Sequence, residues 1–217
     1  MHGATGAKAE PIETLSGEIE LELPKFDDPP ADPLQLLRRW LEIADRHGVK
    51  EARALALATV GEDGRPSSRT VLLRGVDPVP VFTSDRESRK GRQLAARPWA
   101  AGTLYWRETT QQVTLEGRVE EISEEESDAL FAERTRVAQA ATIASGQSED
   151  LEDEELLRVR AQELIESGEP LARPGGWRGY RLVSERIEFW HGSADRLHRR
   201  LLYERAGEGW QHRRLQP

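Results

Sequence analysis

The sequence predicts a mainly β domain, a closed antiparallel barrel decorated by helices. Two observations predict it. Roughly six to eight short apolar or β-branched runs are separated by short polar turns, and helical patterns are inserted between these runs. The length of 217 residues suits one packed domain, which we place at residues 31–217. Residues 1–30 are polar, with prolines near their end, and we expect a flexible N-terminal arm there.

The first half of the domain predicts one helix followed by three strands. Asp32 is a good N-cap, leucines follow at helical spacing, and Gly48 can end the helix. The strand patterns are ARALALATV, SRTVLLRG and VFTS, and the polar turns between them predict a three-stranded meander.

The second half mixes helices and strands. Ser88 caps a helix that stops before Pro98, and AAGTLYW and QQVTLEGRVEEI are the next two strands. A capping box predicts a helix over about 123–137, and a very acidic helix occupies 149–167. The last three strands are RGYRLVSERIEFW, RRLLYER and GWQHRRL, after the loop LARPGGW.

Composition excludes several classes of protein. The chain has no Cys, which excludes disulfides, Fe–S clusters and Cys-ligated zinc. A net charge of −8 argues against nucleic acid as a partner. No run has the length of a signal peptide or membrane span, so we expect a cytoplasmic protein without a membrane partner. GxGxxG, P-loop and GxSxG motifs are absent. His191 and His198 lack a third ligand, so we predict no metal site.

Cationic side chains gather around one strand and one helix start. Arg69 and Arg74 bracket the strand RTVLLR, and Arg89 and Lys90 open the helix after Ser88. Cations at a helix N-terminus oppose the macrodipole unless an anion lies between them. Three of these cations and the helix amides could therefore converge on one phosphate. Taken alone, the pattern slightly favours solvated charges on an Arg-rich surface.

Two further clusters carry polar side chains that could face a ring. The amides of QQ at 111–112 and QS at 147–148 could hydrogen-bond a flat heteroaromatic group, or could simply cap strand and helix ends. In RLHRR, an extended backbone would put Arg196, His198 and Arg200 on one face beside Trp190. Such a face either binds something negative or electron-rich, or is merely exposed.

Several stretches resemble, in order and spacing, the pyridoxamine 5′-phosphate oxidase family. They are RTVLLRG, FTSDRESRKGRQL, YWRETTQQVTLEGRVEEIS, SGQSE, IEFWHGSADRLHRRLLYER and RRLQP. The resemblance covers about Asp32 to Pro217. It implies a homodimer of split β-barrels that binds FMN at the subunit interface, so that residues 31–217 form an FMN-binding oxidase domain.

The resemblance also implies a role for each matching position. The FMN phosphate would meet two arginines and a lysine, and a lid from the dimer interface would close over the flavin. The implied cofactor residues are Arg69, Val71, Leu72, Thr83, Ser84, Arg89, Lys90, Gln112, Gln147, Ser148, Trp190 and Arg200. The implied substrate residues are Arg74, Leu130, Arg134, Ala138, Arg196 and His198. Arg196 and His198 are the candidates for a catalytic role, although neither is assigned as an essential base.

The substrate positions depart from the vitamin enzyme of this family. That enzyme holds a substrate phosphate with a Lys, a Tyr, an Arg and a Ser, where this chain has Arg74, Leu130, Arg134 and Ala138. Losing both hydroxyl donors costs a buried phosphate about 1–3 kcal/mol per missing bond. A small, flat aromatic carboxylic acid would fit better.

The stretches RALALAT, PWAAGTLYWRETTQQ, QSEDL and LARPGGW resemble the phenazine-biosynthesis branch of the family, whereas VLLR at 71–74 is more like the vitamin enzyme. The branch implies oxidation of a reduced phenazine carboxylic acid to the aromatic state, with O2 as electron acceptor. Three alternatives stay open: pyridoxamine or pyridoxine 5′-phosphate oxidation, a flavin- or haem-binding carrier or sensor, and a barrel without a cofactor.

Overall fold

The computed structural model describes Leu21 and residues 26–217. This part of the chain contains five helices and eight strands. In order they are α1 (Pro33–Arg46), β1 (Ala54–Val60), β2 (Pro66–Leu72), β3 (Val81–Asp85), α2 (Arg89–Ala96), β4 (Trp99–Trp106), β5 (Gln111–Glu121), α3 (Glu124–Ala132), α4 (Arg136–Ala144), α5 (Glu154–Glu166), β6 (Trp177–His191), β7 (Arg199–Ala206) and β8 (Gly209–Leu215). None of these helices is both long enough and apolar enough to cross a membrane.

The strands form one antiparallel sheet that closes into a barrel. The order along the sheet is β2-β1-β4-β5-β6-β7-β8, and β3 pairs with the first residues of β6. A backbone bridge between Gly75 and Val81 joins the chain after β2 to β3. The ring β2-β1-β4-β5-β6-β3 is thereby closed, and the predicted antiparallel barrel with inserted helices is confirmed. β7 and β8 extend the sheet beyond it.

The predicted three-stranded meander is wrong in one pairing. β1 and β2 pair as expected, but β3 pairs with β6, in the register Val81 with Arg181 to Asp85 with Trp177. Only Gly75 is bridged to β3 from the turn after β2. Most of β2 therefore keeps one free edge, and this edge borders the candidate site.

The helix predicted over 123–137 is two helices. Its capping box is confirmed, because Ser123 and Glu126 bond each other's backbone N–H groups. α3 nevertheless ends at Ala132, and Thr135 caps a new helix by accepting the N–H of Ala138 at 3.3 Å. The side chain of Thr135 thus offers the backbone an alternative to continuing α3.

The inner face of α1 packs on the barrel and forms one apolar core with it. Asp32 caps α1 as predicted, because its carboxylate accepts the N–H of Leu34 at 3.0 Å. The ring of Trp40, which is 1% exposed, lies 5.1 Å from that of Phe189 and 6.3 Å from that of Trp106. Burying one such side chain contributes roughly 1.5–3 kcal/mol, so packing fixes α1 on the barrel.

The last residues of the predicted arm belong to this core. Phe26 is 2% exposed, and its ring lies 5.9 Å from that of Trp40. The guanidinium groups of Arg199 and Arg214 lie 4.7 and 5.3 Å from the Phe26 ring, and both also pair with Asp27. Aromatic packing and cation–π contacts therefore attach this segment to β7 and β8.

The described residues just before α1 are therefore packed on the barrel. The hydroxyl of Tyr203 also donates to the carbonyl of Pro30 at 2.9 Å, which fixes the chain just before α1. The rest of the predicted arm, residues 1–20 and 22–25, lies outside the described residues.

We predict that Phe26→Ala lowers the free energy of unfolding by roughly 3 kcal/mol, because it removes a buried ring from the core. Urea denaturation followed by circular dichroism measures this change. The exposed neighbour Asp28 provides the control, and Asp28→Ala should stay within about 0.5 kcal/mol of the parent. Equal effects of the two substitutions would contradict the packing of this segment.

Candidate functional site

A cleft of about 530 Å³ opens along the free edge of β2. It lies between β2, the end of β3, the start of α2 and the loop after α4. The lining residues are Ser67, Ser68, Arg69, Thr70, Val71, Leu72, Thr83, Arg89, Lys90, Gln147 and Ser148. The structure thus brings eight of the twelve predicted cofactor residues to one cleft. Ser84, a ninth, follows Thr83 and hydrogen-bonds Gln147 at 3.3 Å.

Arg69 is held across the β1 and β2 edge by neutral acceptors. Its Nη1 donates to the hydroxyl of Thr59 at 2.6 Å, and its Nη2 donates to that of Ser67 at 2.7 Å. Both hydroxyls in turn donate to Oε1 of Gln93, at 2.6 and 2.9 Å. Burial lowers the pKa of Arg69, and the nearby charge of Arg89 lowers it further. The guanidinium is therefore oriented but its charge is not neutralised.

Gln93 is a supporting residue that our sequence analysis missed. It lies on α2 three residues after Lys90, and both side chains are at least nine-tenths buried. A Gln and a Lys at this spacing share one helix face with buried Leu94. This pattern in the sequence could have predicted that Gln93 faces the same side as Lys90.

Lys90 is buried beside the same cleft. Its Nζ donates to Oε1 of Gln147 at 3.0 Å and lies 3.4 Å from the hydroxyl of Ser88. Burial lowers the pKa of Lys90 to about 8, and the charge of Arg69 adds to that shift, while Asp85 opposes it. An ammonium group in this position costs free energy that a bound anion would offset.

The start of α2 is built around a close backbone approach. Ser88 caps the helix by accepting the N–H of Gly91 at 3.2 Å, as predicted. A Cβ on Gly91 would lie 2.2 Å from the carbonyl oxygen of Arg86, so only glycine allows this approach. The backbone N–H of Arg89 donates to the hydroxyl of Ser148 at 3.2 Å. The helix N-terminus therefore faces the cleft, where an anion would be stabilised.

The three cations of the cleft form no ion pair within the described part of the chain. Among residues 26–217, no Asp or Glu oxygen lies within ion-pair distance of Arg69, Arg89 or Lys90. Like charges held this close repel one another unless an anion joins them. Guanidinium, ammonium, hydroxyl and helix N–H donors together fit the oxygens of a phosphate group.

Three of the six predicted substrate residues border two smaller cavities, whereas Ala138, Arg196 and His198 border neither. Arg74 and Leu130 line one of about 270 Å³, and Arg134 lines another of about 190 Å³, together with Thr83 and Ser84. Thr83 also lines the main cleft, so the second cavity adjoins it. Burial lowers the pKa of Arg134, and the charge of Arg74 lowers it further. The charges of these two guanidinium groups therefore act on each other, although the groups line different cavities.

Arg134 is fixed by an aromatic contact and a hydroxyl. Its guanidinium lies 5.2 Å from the ring of Trp177, and its Nη1 donates to Thr142 at 2.6 Å. The Thr142 hydroxyl donates to the carbonyl of Ala138 at 2.9 Å. Ala138 itself is half-buried on α4 and presents only a methyl group.

The remaining predicted cofactor residues form a separate row. Gln112 on β5 pairs with Trp190 on β6, which pairs with Arg200 on β7. Their neighbours in sequence point into the core, so this row lies on the outer face of the sheet. Glu188 accepts from Arg200 at 2.7 and 3.0 Å, and this bonding raises the pKa of Arg200. None of the three cavities described above contains these residues.

The predicted common face of Arg196, His198 and Arg200 is wrong for Arg196. β7 begins only at Arg199, and Arg196 has a φ of +66° in an exposed turn. The carboxylate of Asp195 closes that turn by accepting the N–H of Leu197 at 2.8 Å. The ring of His198 lies 4.8 Å from that of Trp190, so this pair does come together as expected.

The site residues therefore fall into two groups. The cleft group consists of the nine predicted cofactor residues in or beside the cleft. Arg134 lines the cavity that adjoins the cleft, Arg74 and Leu130 line the third cavity, and Ala138 borders none of the three. The wall group consists of Gln112, Trp190, Arg196, His198 and Arg200, and it lies on the outer sheet face and the loop after β6. Within residues 26–217, no three His, Asp or Glu side chains are grouped as metal ligands.

Two family models match stretches of this chain that contain all eight strands. The family model for pyridoxamine 5′-phosphate oxidase matches residues 41–168, and that for the pyridoxine 5′-phosphate oxidase C-terminal dimerisation region matches residues 177–217. The chain belongs to the pyridoxamine 5′-phosphate oxidase family. The resemblance found in the sequence is thereby confirmed, and so is the split-barrel fold class. Membership of this family also makes the protein an oxidoreductase.

Two relatives of different activity are similar to this chain. Dihydrophenazinedicarboxylate synthase of Burkholderia lata is 47% identical over 207 residues, which cover 95% of this chain and 98% of the synthase. Pyridoxine/pyridoxamine 5′-phosphate oxidase of Rubrobacter xylanophilus is 49% identical over 189 residues, which cover 86% of this chain and 87% of that oxidase.

A solved structure of this family superposes closely. The crystal structure of PhzG from Burkholderia lata 383, in complex with tetrahydrophenazine-1-carboxylic acid, matches with a TM-score of 0.90 and 46% identity. The match covers 93% of this chain and 100% of that chain. The likeness to the phenazine branch therefore extends from sequence to structure.

Proposed function

We propose that this protein is an FMN-dependent oxidase of phenazine biosynthesis, which aromatises a reduced phenazine carboxylic acid with O2 as electron acceptor. The observation that carries the proposal is the substrate end of the site. Arg74 and Leu130 line one cavity and Arg134 lines the cavity beside the cleft. Leu130 and Ala138 stand where the vitamin enzyme has hydroxyl donors. This combination suits a flat aromatic carboxylate better than a phosphate.

The cleft group fits FMN. Arg69, Arg89, Lys90 and the N-terminus of α2 would hold the phosphate, because they are cationic or donating groups that no carboxylate of residues 26–217 pairs with. Val71 and Leu72 on the edge of β2 would pass along the flavin. Thr83, Ser84, Gln147 and Ser148 would supply the remaining hydrogen bonds.

A second copy of the chain would complete the site with its wall group. The family's dimerisation region spans residues 177–217, which include Trp190, His198 and Arg200. On the same outer face, Tyr105 pairs with Gln112 and is 50% exposed, an apolar surface that a partner subunit would cover. We therefore propose a homodimer with the flavin at the subunit interface.

The proposed reaction needs positioning more than acid–base catalysis. When bound, FMN would accept two electrons from the substrate and pass them to O2. Arg74 and Arg134 would bind the substrate carboxylate, and Leu130 would pack against its ring. Arg196 and His198, from the wall group, would hold the opposite side of the substrate. Because aromatisation makes the oxidation favourable, orientation over the cofactor is the main contribution of these side chains.

A second candidate function is pyridoxamine or pyridoxine 5′-phosphate oxidation, which the similarity to the Rubrobacter xylanophilus oxidase favours. Assays of the FMN-loaded protein with a dihydrophenazine carboxylic acid and with pyridoxine 5′-phosphate separate the two. The proposal requires a much higher kcat/KM for the phenazine substrate. Comparable turnover of the vitamin substrate would reverse the ranking. Reduced flavin that is not reoxidised quickly in air would instead favour a carrier or sensor.

We predict that Leu130→Tyr combined with Ala138→Ser raises kcat/KM for pyridoxine 5′-phosphate by roughly tenfold, because two hydroxyl donors return to the phosphate site. Steady-state kinetics on the double variant measures this. Ala132→Ser, at an exposed position at the end of α3, is the control and should change nothing. No gain in the double variant would mean that these positions do not contact the substrate.

We predict that FMN binding weakens as the pH rises from 7 to 9.5. Lys90 has a lowered pKa of about 8 in the free protein, so it is charged below that pH and neutral above it. Its attraction to phosphate is therefore present at pH 7 and is lost at higher pH. The Kd for FMN should accordingly rise by roughly tenfold.

Fluorescence titration of FMN into the apoprotein checks this pH dependence. Lys90→Arg should bind FMN with little change over the same range, because an arginine stays charged. Riboflavin, which lacks the phosphate, serves as the control ligand. A flat profile for the parent, or the same decline in Lys90→Arg, would exclude Lys90 as the titrating phosphate contact.

A further inference from the structure

The loop between β6 and β7 is closed by one carboxylate. Oδ1 of Asp195 accepts the hydroxyl of Ser193 at 2.5 Å and the backbone N–H of Leu197 at 2.8 Å. The N–H of Arg196 donates to the carbonyl of Ser193 at 3.0 Å, which completes the turn. Arg196 is held at a φ of +66°, a conformation that a non-glycine residue adopts only under such constraint.

This turn brings a backbone donor to the ring of His198. The N–H of Ser193 donates to Nδ1 of His198 at 3.1 Å, so that Nδ1 must be an acceptor without a proton. The neutral imidazole then carries its proton on Nε2, which is left as a donor. The ring is also packed 4.8 Å from that of Trp190, which limits its rotation.

We propose that Asp195 is a positioning residue that fixes His198 as a hydrogen-bond donor, through Nε2–H, to an acceptor atom of the substrate. This inference rests on the proposed function, because the substrate is the reduced phenazine carboxylic acid. It deepens that function by assigning a role to His198: with Nδ1 occupied by a backbone N–H and Nε2 already protonated, neither nitrogen is free to take a proton from the substrate.

The contacts of Asp195 support the assignment independently of the substrate. The Ser193 hydroxyl lowers the pKa of Asp195, and the Leu197 N–H lowers it further. The carboxylate is therefore ionised at neutral pH and keeps both donors. Removing it frees the turn, and with it the N–H that selects the tautomer of His198.

The first arm of the experiment measures the tautomer directly. Nitrogen NMR of the 15N-histidine-labelled, FMN-loaded protein reports which ring nitrogen of His198 carries the proton, and His198→Gln assigns the signal. We expect Nε2–H in the parent protein, the same tautomer in Asp195→Asn, which keeps an acceptor oxygen, and a mixture in Asp195→Ala. A parent His198 protonated on Nδ1, or an unchanged tautomer in Asp195→Ala, would overturn the proposal.

The second arm measures kinetics with a dihydrophenazine carboxylic acid. Asp195→Ala should raise KM by roughly five- to tenfold and leave kcat within about twofold, because one oriented hydrogen bond is lost. Asp195→Asn should restore most of the loss. His198→Gln, whose amide can still donate, should lower kcat by less than about tenfold, whereas a loss of roughly a thousandfold would make His198 a base and contradict the donor role.

The two arms separate this inference from the proposed function. If the parent protein binds FMN but does not oxidise the phenazine substrate, the proposed function fails, while the NMR arm still decides whether Asp195 sets the His198 tautomer. Asp150→Ala, which removes an exposed acidic side chain from the loop after α4, is the control for a general charge effect and should change neither readout.

Discussion

Three cations at the free edge of β2, which form no ion pair with a carboxylate of residues 26–217, are the constraint on which the rest of the site depends. Arg69 is oriented by neutral hydroxyls, Lys90 is buried, and Arg89 opens a helix whose dipole already repels it. The barrel stabilises this arrangement through apolar packing elsewhere, in the core around Trp40. An anionic cofactor would gain from each of these charges.

The split between the cleft group and the wall group follows from the same architecture. The cleft lies where β2 lacks a second neighbour, because β3 pairs with β6 instead. The wall group lies on the outer face of β5, β6 and β7 and in the loop between β6 and β7. One chain thus presents a phosphate-type cradle at one place and an aromatic, hydrogen-bonding surface at another, which is the arrangement expected when two copies share each site.

The sequence predicted what local chemistry determines. Period-two patterns gave the strands, Ser88 gave the start of α2, and residue types and spacing alone indicated the cation cluster and the nearness of Trp190 to His198. It missed what depends on distant partners or on single side-chain bonds: the pairing of β3 with β6, the break at Thr135 and the turn closed by Asp195. The period of the hydrophobic pattern along a strand specifies which face is buried, but it does not specify which distant strand pairs with it.

The most direct test of a site shared between two copies is complementation in hybrid dimers. One double variant carries Arg69→Ala with Lys90→Ala, and the other carries Trp190→Ala with Arg200→Ala. The two are co-expressed with different tags, and the hybrid dimer is isolated. The homodimer of each double variant should be inactive with a dihydrophenazine carboxylic acid. The hybrid should recover about half of the activity of the intact dimer, because one of its two sites is complete. A hybrid dimer no more active than the two variant homodimers would contradict the shared site.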